Sequence, residues 1–125
     1  MTTVMSDRRV GTPEATRLEV GVVPGPRAGT VRVVVSGEID LEDAALLRKV
    51  LLAALVSHRA ALLVDLERVT FCDCAGLNAL LTARHAALQA GRGLRITAAG
   101  RRVERLLDLT ATRSLFMWDV SSEGR

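Results

Sequence analysis

The chain is nearly free of aromatic side chains: two Phe, one Trp and no Tyr among 125 residues. Its core must therefore be aliphatic, built from Leu, Val and Ala. This is feasible, because apolar residues make up 49% of a chain long enough for one domain with a real interior. Lysine is also scarce. Sixteen Arg accompany the single Lys49, the net charge is only +3, and the basic residues cluster no further than the pairs Arg8-Arg9, Arg48-Lys49 and Arg101-Arg102. A basic stripe interleaved with aromatics is missing, so direct nucleic-acid binding is not expected. Long apolar runs are missing too. A spanning helix needs about 18 uninterrupted apolar residues, and the longest candidate, residues 44–56, carries Arg48 and Lys49. With no basic-then-apolar signal at the N-terminus, no membrane partner is expected, and a cytoplasmic location is.

Cysteine is limited to Cys72 and Cys74. Two residues apart, they would close a strained ring as a disulfide. Zinc needs about four ligands, and the histidines are only His58 and His85. His85 falls three turns along a helix beginning near Cys74, roughly 15 Å away at about 1.5 Å per residue. No metal or cofactor is expected, and Cys72 reads as a small buried hydrophobe. No nucleophile–base–acid set and no Walker-type glycine loop occur, so an enzyme is not expected.

The patterning that is present describes an α/β domain. Leu18, Val20 and Val22 alternate with Glu19 and Gly21 as a strand. A turn cluster at 24–29 leads to a second alternating strand over Val31, Val33 and Val35, making an antiparallel hairpin. Gly37-Glu38-Ile39-Asp40 ends that strand, and Asp40 is an N-cap with Asp43 in the first turn of a helix. Helical spacing of Leu47, Val50, Leu51, Ala54 and Leu55 predicts a helix over about 41–57. Residues 61–66 read as a buried central strand. Leu77, Leu80, Leu81, Arg84 and Leu88 share a face of a second helix over about 75–90, with Arg84 snorkelling outward and Gly91 and Gly93 as the stop. A fourth strand at 94–97, a third helix at 101–110 and a fifth strand at 115–120 complete the order. Right-handed crossovers place all three helices on one face if the strands follow in sequence. Residues 1–15 and 122–125 are expected to be flexible tails around a domain at 16–121.

The most informative stretch is Val69-Thr70-Phe71-Cys72-Asp73-Cys74-Ala75-Gly76-Leu77. A β-rich run ends in an acid and a short side chain, then turns at once into a helix. Such a junction presents one small residue over a helix N-terminus, where unpaired N–H groups and the macrodipole favour anions. Asp73 serves as a turn former or a partner contact. Asn78 and Thr82 lie on the polar side of the helix, open to a partner or merely solvated.

Three segments resemble the STAS domain of bacterial anti-sigma factor antagonists. Gly37-Glu38-Ile39-Asp40 is similar to the family's Gly-Glu-Leu-Asp segment. Val64-Asp65-Leu66 with Val69-Thr70-Phe71 resembles its third strand. Cys72-Asp73-Cys74-Ala75-Gly76-Leu77 resembles its Met-Asp-Ser-Ser-Gly-Leu signature, or the Asp-Ser-Ala-Gly-Leu variant. The resemblance implies a single STAS-like domain, with a mixed four- to five-stranded sheet, an N-terminal hairpin and three main helices. It also implies an anti-sigma factor antagonist that binds a histidine-kinase-like ATPase anti-sigma factor and so releases a sigma factor. The family's phosphoacceptor serine falls on Cys74, and Ala75 beside it has no hydroxyl. By the same resemblance, the partner-binding residues are Asp40, Asp73, Cys74, Ala75, Gly76, Leu77, Asn78 and Thr82. Cys74 is then a neutral serine replacement or, alternatively, a redox-sensing thiol. A second reading is a non-switching STAS scaffold module of a larger signalling or lipid-transport assembly. Self-association stays open.

Overall fold

A computed structural model describes residues 18–116. Its elements run β1 (Glu19–Pro24), β2 (Thr30–Ile39), α1 (Leu41–His58), β3 (Ala61–Cys72), α2 (Cys74–Gln89), β4 (Leu94–Ala99), α3 (Arg101–Leu109) and α4 (Arg113–Phe116). The tails expected at 1–15 and 122–125 lie outside the described residues.

The four strands form one sheet in sequential order. β1 pairs antiparallel with β2, and β2, β3 and β4 are mutually parallel. The hairpin follows from the short connection, closed by Gly25 N donating to Thr30 O at 3.0 Å. Each parallel crossover carries a helix, and the fixed hand of such crossovers puts α1 and α2 side by side on one face. Alternate strand residues point at them: Val31, Val33 and Val35 on β2, Leu62, Val64 and Leu66 on β3, Leu94 and Ile96 on β4, all buried. Val103, Leu107 and Phe116 join the same core from α3 and α4. On the opposite face of the sheet, Arg32 pairs with Asp65 at 3.1 Å.

Each helix begins and ends where local chemistry dictates. The Asp40 side chain accepts from Asp43 N, and Arg59 closes α1 in the left-handed region at φ 50°. The last turn of α2 passes through Ala90 into Gly91 at φ 77°. Gly37, at φ 102°, sits where the β2–β3 register shifts, a conformation that favours glycine.

Three expectations need correction. The fifth strand does not begin at Leu115: Leu115 and Phe116 belong to α4, and residues 117–120 lie outside the described residues. Ala111 in the left-handed region (φ 59°) turns the chain after α3, and Leu115 N donates to Thr112 O at 2.9 Å. The helical turn lets Phe116 plug the core at 0% exposure. A short apolar run alone does not distinguish that turn from a strand. Leu88, expected on the buried face of α2, is 49% exposed. The buried stripe uses Ala83 and Ala87 instead, small residues that let α2 approach its neighbours closely. β3 is also longer than residues 61–66, continuing without a break to Cys72. Arg84 does reach outward, its Nε donating to Leu115 O at 2.8 Å and tying α2 to α4.

Candidate functional site: the paired helix starts at the end of the parallel strands

β2 and β3 end together, with Ile39 opposite Cys72 in register. Asp73 N donates to Ile39 O at 3.3 Å, so the two strand-to-helix turns are joined by backbone. Each turn ends in an aspartate that caps the following helix. Asp40 Oδ1 accepts from Asp43 N at 3.1 Å, and Asp73 Oδ1 accepts from Ala75 N at 2.9 Å and Gly76 N at 3.2 Å. The first donors of α2 are therefore already satisfied by Asp73. The partial positive charge expected there is met by the protein's own carboxylate.

Cys74 is the first residue of α2 and its thiol is exposed. Cys72, two residues earlier, is half-buried. Burial pushes the Cys72 thiol up to about 12, with the Asp73 carboxylate and the Cys74 thiol adding to the shift. Cys72 therefore stays protonated at neutral pH and behaves as a small apolar residue. Gly76 is buried beneath the turn. A Cβ there would come within 2.7 Å of both Cys72 Sγ and Ile39 Cγ2, so glycine is what lets α2 start this close to β2 and β3.

The structure separates the sequence-derived site residues into two sets. Asp40, Cys74, Asn78 and Thr82 are exposed, and Asp73 and Ala75 are half-buried. Gly76 and Leu77 are buried and serve as the support beneath. Asn78 and Thr82 line a groove of about 240 Å³ between α1 and α2, together with Ala75 and Ala79. Its other wall is Leu41, Ala44, Ala45 and Arg48 of α1. The α1 wall was not among the site residues read from the sequence. A usable signal was there, since α1 is apolar on nearly all sides whereas a surface helix normally has a polar outer face.

A family model described as "Mlab, STAS domain" matches residues 26–115, most of the chain. The chain belongs to the STAS domain family. Solved structures of anti-sigma factor antagonists superpose on it. One is an anti-sigma factor antagonist from Mycobacterium paratuberculosis, 28% identical, with a TM-score of 0.70 over 84% of this chain and 87% of that one. Another is the anti-sigma factor antagonist SpoIIAA in its unphosphorylated form, 18% identical, with a TM-score of 0.64 over 86% of this chain and 91% of that one, a likeness of fold. No curated protein matches the chain. Among the described residues no helix is long and apolar enough to cross a membrane.

Proposed function

We propose that this STAS domain is a cytoplasmic, non-enzymatic anti-sigma factor antagonist. It binds a histidine-kinase-like ATPase anti-sigma factor, frees the sigma factor, and is not switched off by phosphorylation at the usual turn. The observation that carries the reading is the exposed Cys74 at the first position of α2, where the family resemblance puts a phosphoacceptor serine. The matched length and shape of the antagonist from Mycobacterium paratuberculosis support the general role.

The chemistry of the substitution is direct. A phosphoryl group adds about −1.5 to −2 charges at neutral pH. Here it would enter a turn that already holds the Asp73 and Asp40 carboxylates, and a docked partner would be expelled by charge and bulk. A thiol matches serine in size but is a softer, weaker hydrogen-bonding group. A kinase site arranged for an oxygen nucleophile transfers to it poorly. Ala75 supplies no substitute. Thr70 lies in β3 with its hydroxyl directed to Gly37 O at 3.4 Å, outside the α2 turn. The binding-competent shape is kept and the covalent off-switch is lost.

The test is co-purification from the native cell, to see whether a histidine-kinase-like ATPase accompanies the chain, followed by incubation of the pair with ATP and intact mass measurement. Binding without mass gain is expected for the wild type, and a gain of one phosphoryl group for Cys74→Ser. A phosphoryl group on the wild type within residues 70–82 refutes the reading. The missing hydroxyls at Cys74 and Ala75 equally suit a non-switching STAS scaffold of a larger signalling or lipid-transport assembly. Binding of both forms with phosphorylation of neither would favour that reading.

A further inference from the structure

Two facing stripes define the α1–α2 groove. Leu41, Ala45 and Arg48 recur at i, i+4 and i+7 on α1, and Ala75, Asn78 and Thr82 at i, i+3 and i+7 on α2. Both helices start at the same end of the sheet, so the stripes run in parallel for two turns, about 10 Å at 1.5 Å rise per residue. The floor between them is Ala44 and Ala79, both buried and too small to fill the space. A trough bounded by two helical ridges with a floor of small residues accepts a third helix by interdigitation.

The outward side of α1 points the same way. Leu41 and Val56 are 74% and 80% exposed, and the stripe from Leu41 through Ala45, Arg48 and Leu52 to Val56 follows helical periodicity. An apolar helix face of this length is normally covered. Arg48 breaks the stripe at its middle. It is exposed, is the one charged residue lining the groove, and forms no ion pair among the described residues. A purely apolar occupant would strand that guanidinium, whereas a carboxylate on the occupant would pair with it.

We propose that the α1–α2 groove is the docking track for an amphipathic helix of the anti-sigma factor. That helix carries small or medium apolar side chains towards the alanine floor and a Glu or Asp opposite Arg48. Arg48 then selects among anti-sigma factors by charge. The inference rests on the antagonist reading and extends the contact surface from the Cys74 turn on to α1.

The test titrates the full chain and its variants by calorimetry against the anti-sigma factor recovered in the co-purification, at low and at physiological salt. Arg48→Glu is expected to weaken binding at least about tenfold by placing like charges together. Arg48→Ala should weaken it less and flatten the salt dependence, and Arg48→Lys should stay close to wild type. Ala45→Trp, which fills the exposed groove without entering the core, should also cost at least about tenfold. Wild-type affinity in either Arg48→Glu or Ala45→Trp overturns the proposal. If Cys74→Arg, at the turn outside the groove, weakens binding while those two do not, the antagonist reading stands and the groove proposal falls. If the wild type binds no anti-sigma factor, the antagonist reading itself fails and takes the groove proposal with it.

Discussion

Gly76→Ala should destabilise the domain, although it replaces the poorer helix former with the best one. Gly76 lies in the first turn of α2, where Ala is intrinsically favoured by about 0.8–1.0 kcal/mol. Against this, the new Cβ would lie 2.7 Å from Cys72 Sγ, 2.7 Å from Ile39 Cγ2 and 3.3 Å from Ile39 Cβ. The Ile39 contact dominates, because Ile39 is 0% exposed at the end of β2 and its branched Cβ has little rotamer freedom. Overpacking of this kind costs about 1–3 kcal/mol. With two contacts this close, the upper half of that range applies, and the net loss is about 1–2 kcal/mol after the propensity gain. For a chain of this length that is a fall in Tm of about 4–8 °C, readable by calorimetry or circular dichroism. The strain should also be shared with Cys72. In a double-mutant cycle, Cys72→Ala should reduce the cost of Gly76→Ala by about 0.5 kcal/mol or more. The turn must give way to admit the methyl group, so Cys74 moves and partner binding weakens as well. A Gly76→Ala protein as stable as wild type, or more so, would refute the close-approach argument.

The two aspartate caps should differ. Asp73→Ala removes two acceptor contacts and should cost about 1–2 kcal/mol, against about 1 kcal/mol or less for Asp40→Ala with one, compared by urea unfolding. The two thiols should separate sharply. Brief alkylation of the native protein at pH 8 should add one group, at Cys74, and a second at Cys72 only on unfolding. Equal labelling of both would contradict the partial burial and raised pKa of Cys72. The same thiol should weaken the fold in alkali. Its folded pKa is raised from 9.0 to about 12, so the unfolded chain loses this proton first, and Cys72 should lower stability as pH climbs from 9 towards 12. Cys72→Ala should flatten that part of the stability–pH curve, and an unchanged slope would count against this cause.

Local chemistry was enough to read much of this protein from its sequence. Period-two alternation set β1 and β2, period 3.6 set α1 and α2, Asp40 announced the first helix start as a cap, and Asp73 marked the turn before the second. The order and spacing of the Gly37–Asp40 and Cys72–Leu77 segments pointed to the STAS family and to Cys74 as its departure from pattern. These features depend on residues within a turn or two of each other. What lay beyond them depended on contacts distant in sequence. Phe116 sits in a helical turn because it fills the end of a core assembled from β4, α2 and α3, which its own neighbours do not reveal. Ala83 and Ala87 displaced Leu88 from the buried face because the space between α2 and its neighbours is narrow. Gly76 is needed because Ile39, far earlier in the chain, ends beside it. The wall of Leu41, Ala45 and Arg48 became part of one groove with Asn78 and Thr82 only when the parallel pairing of β2 and β3 set α1 and α2 side by side.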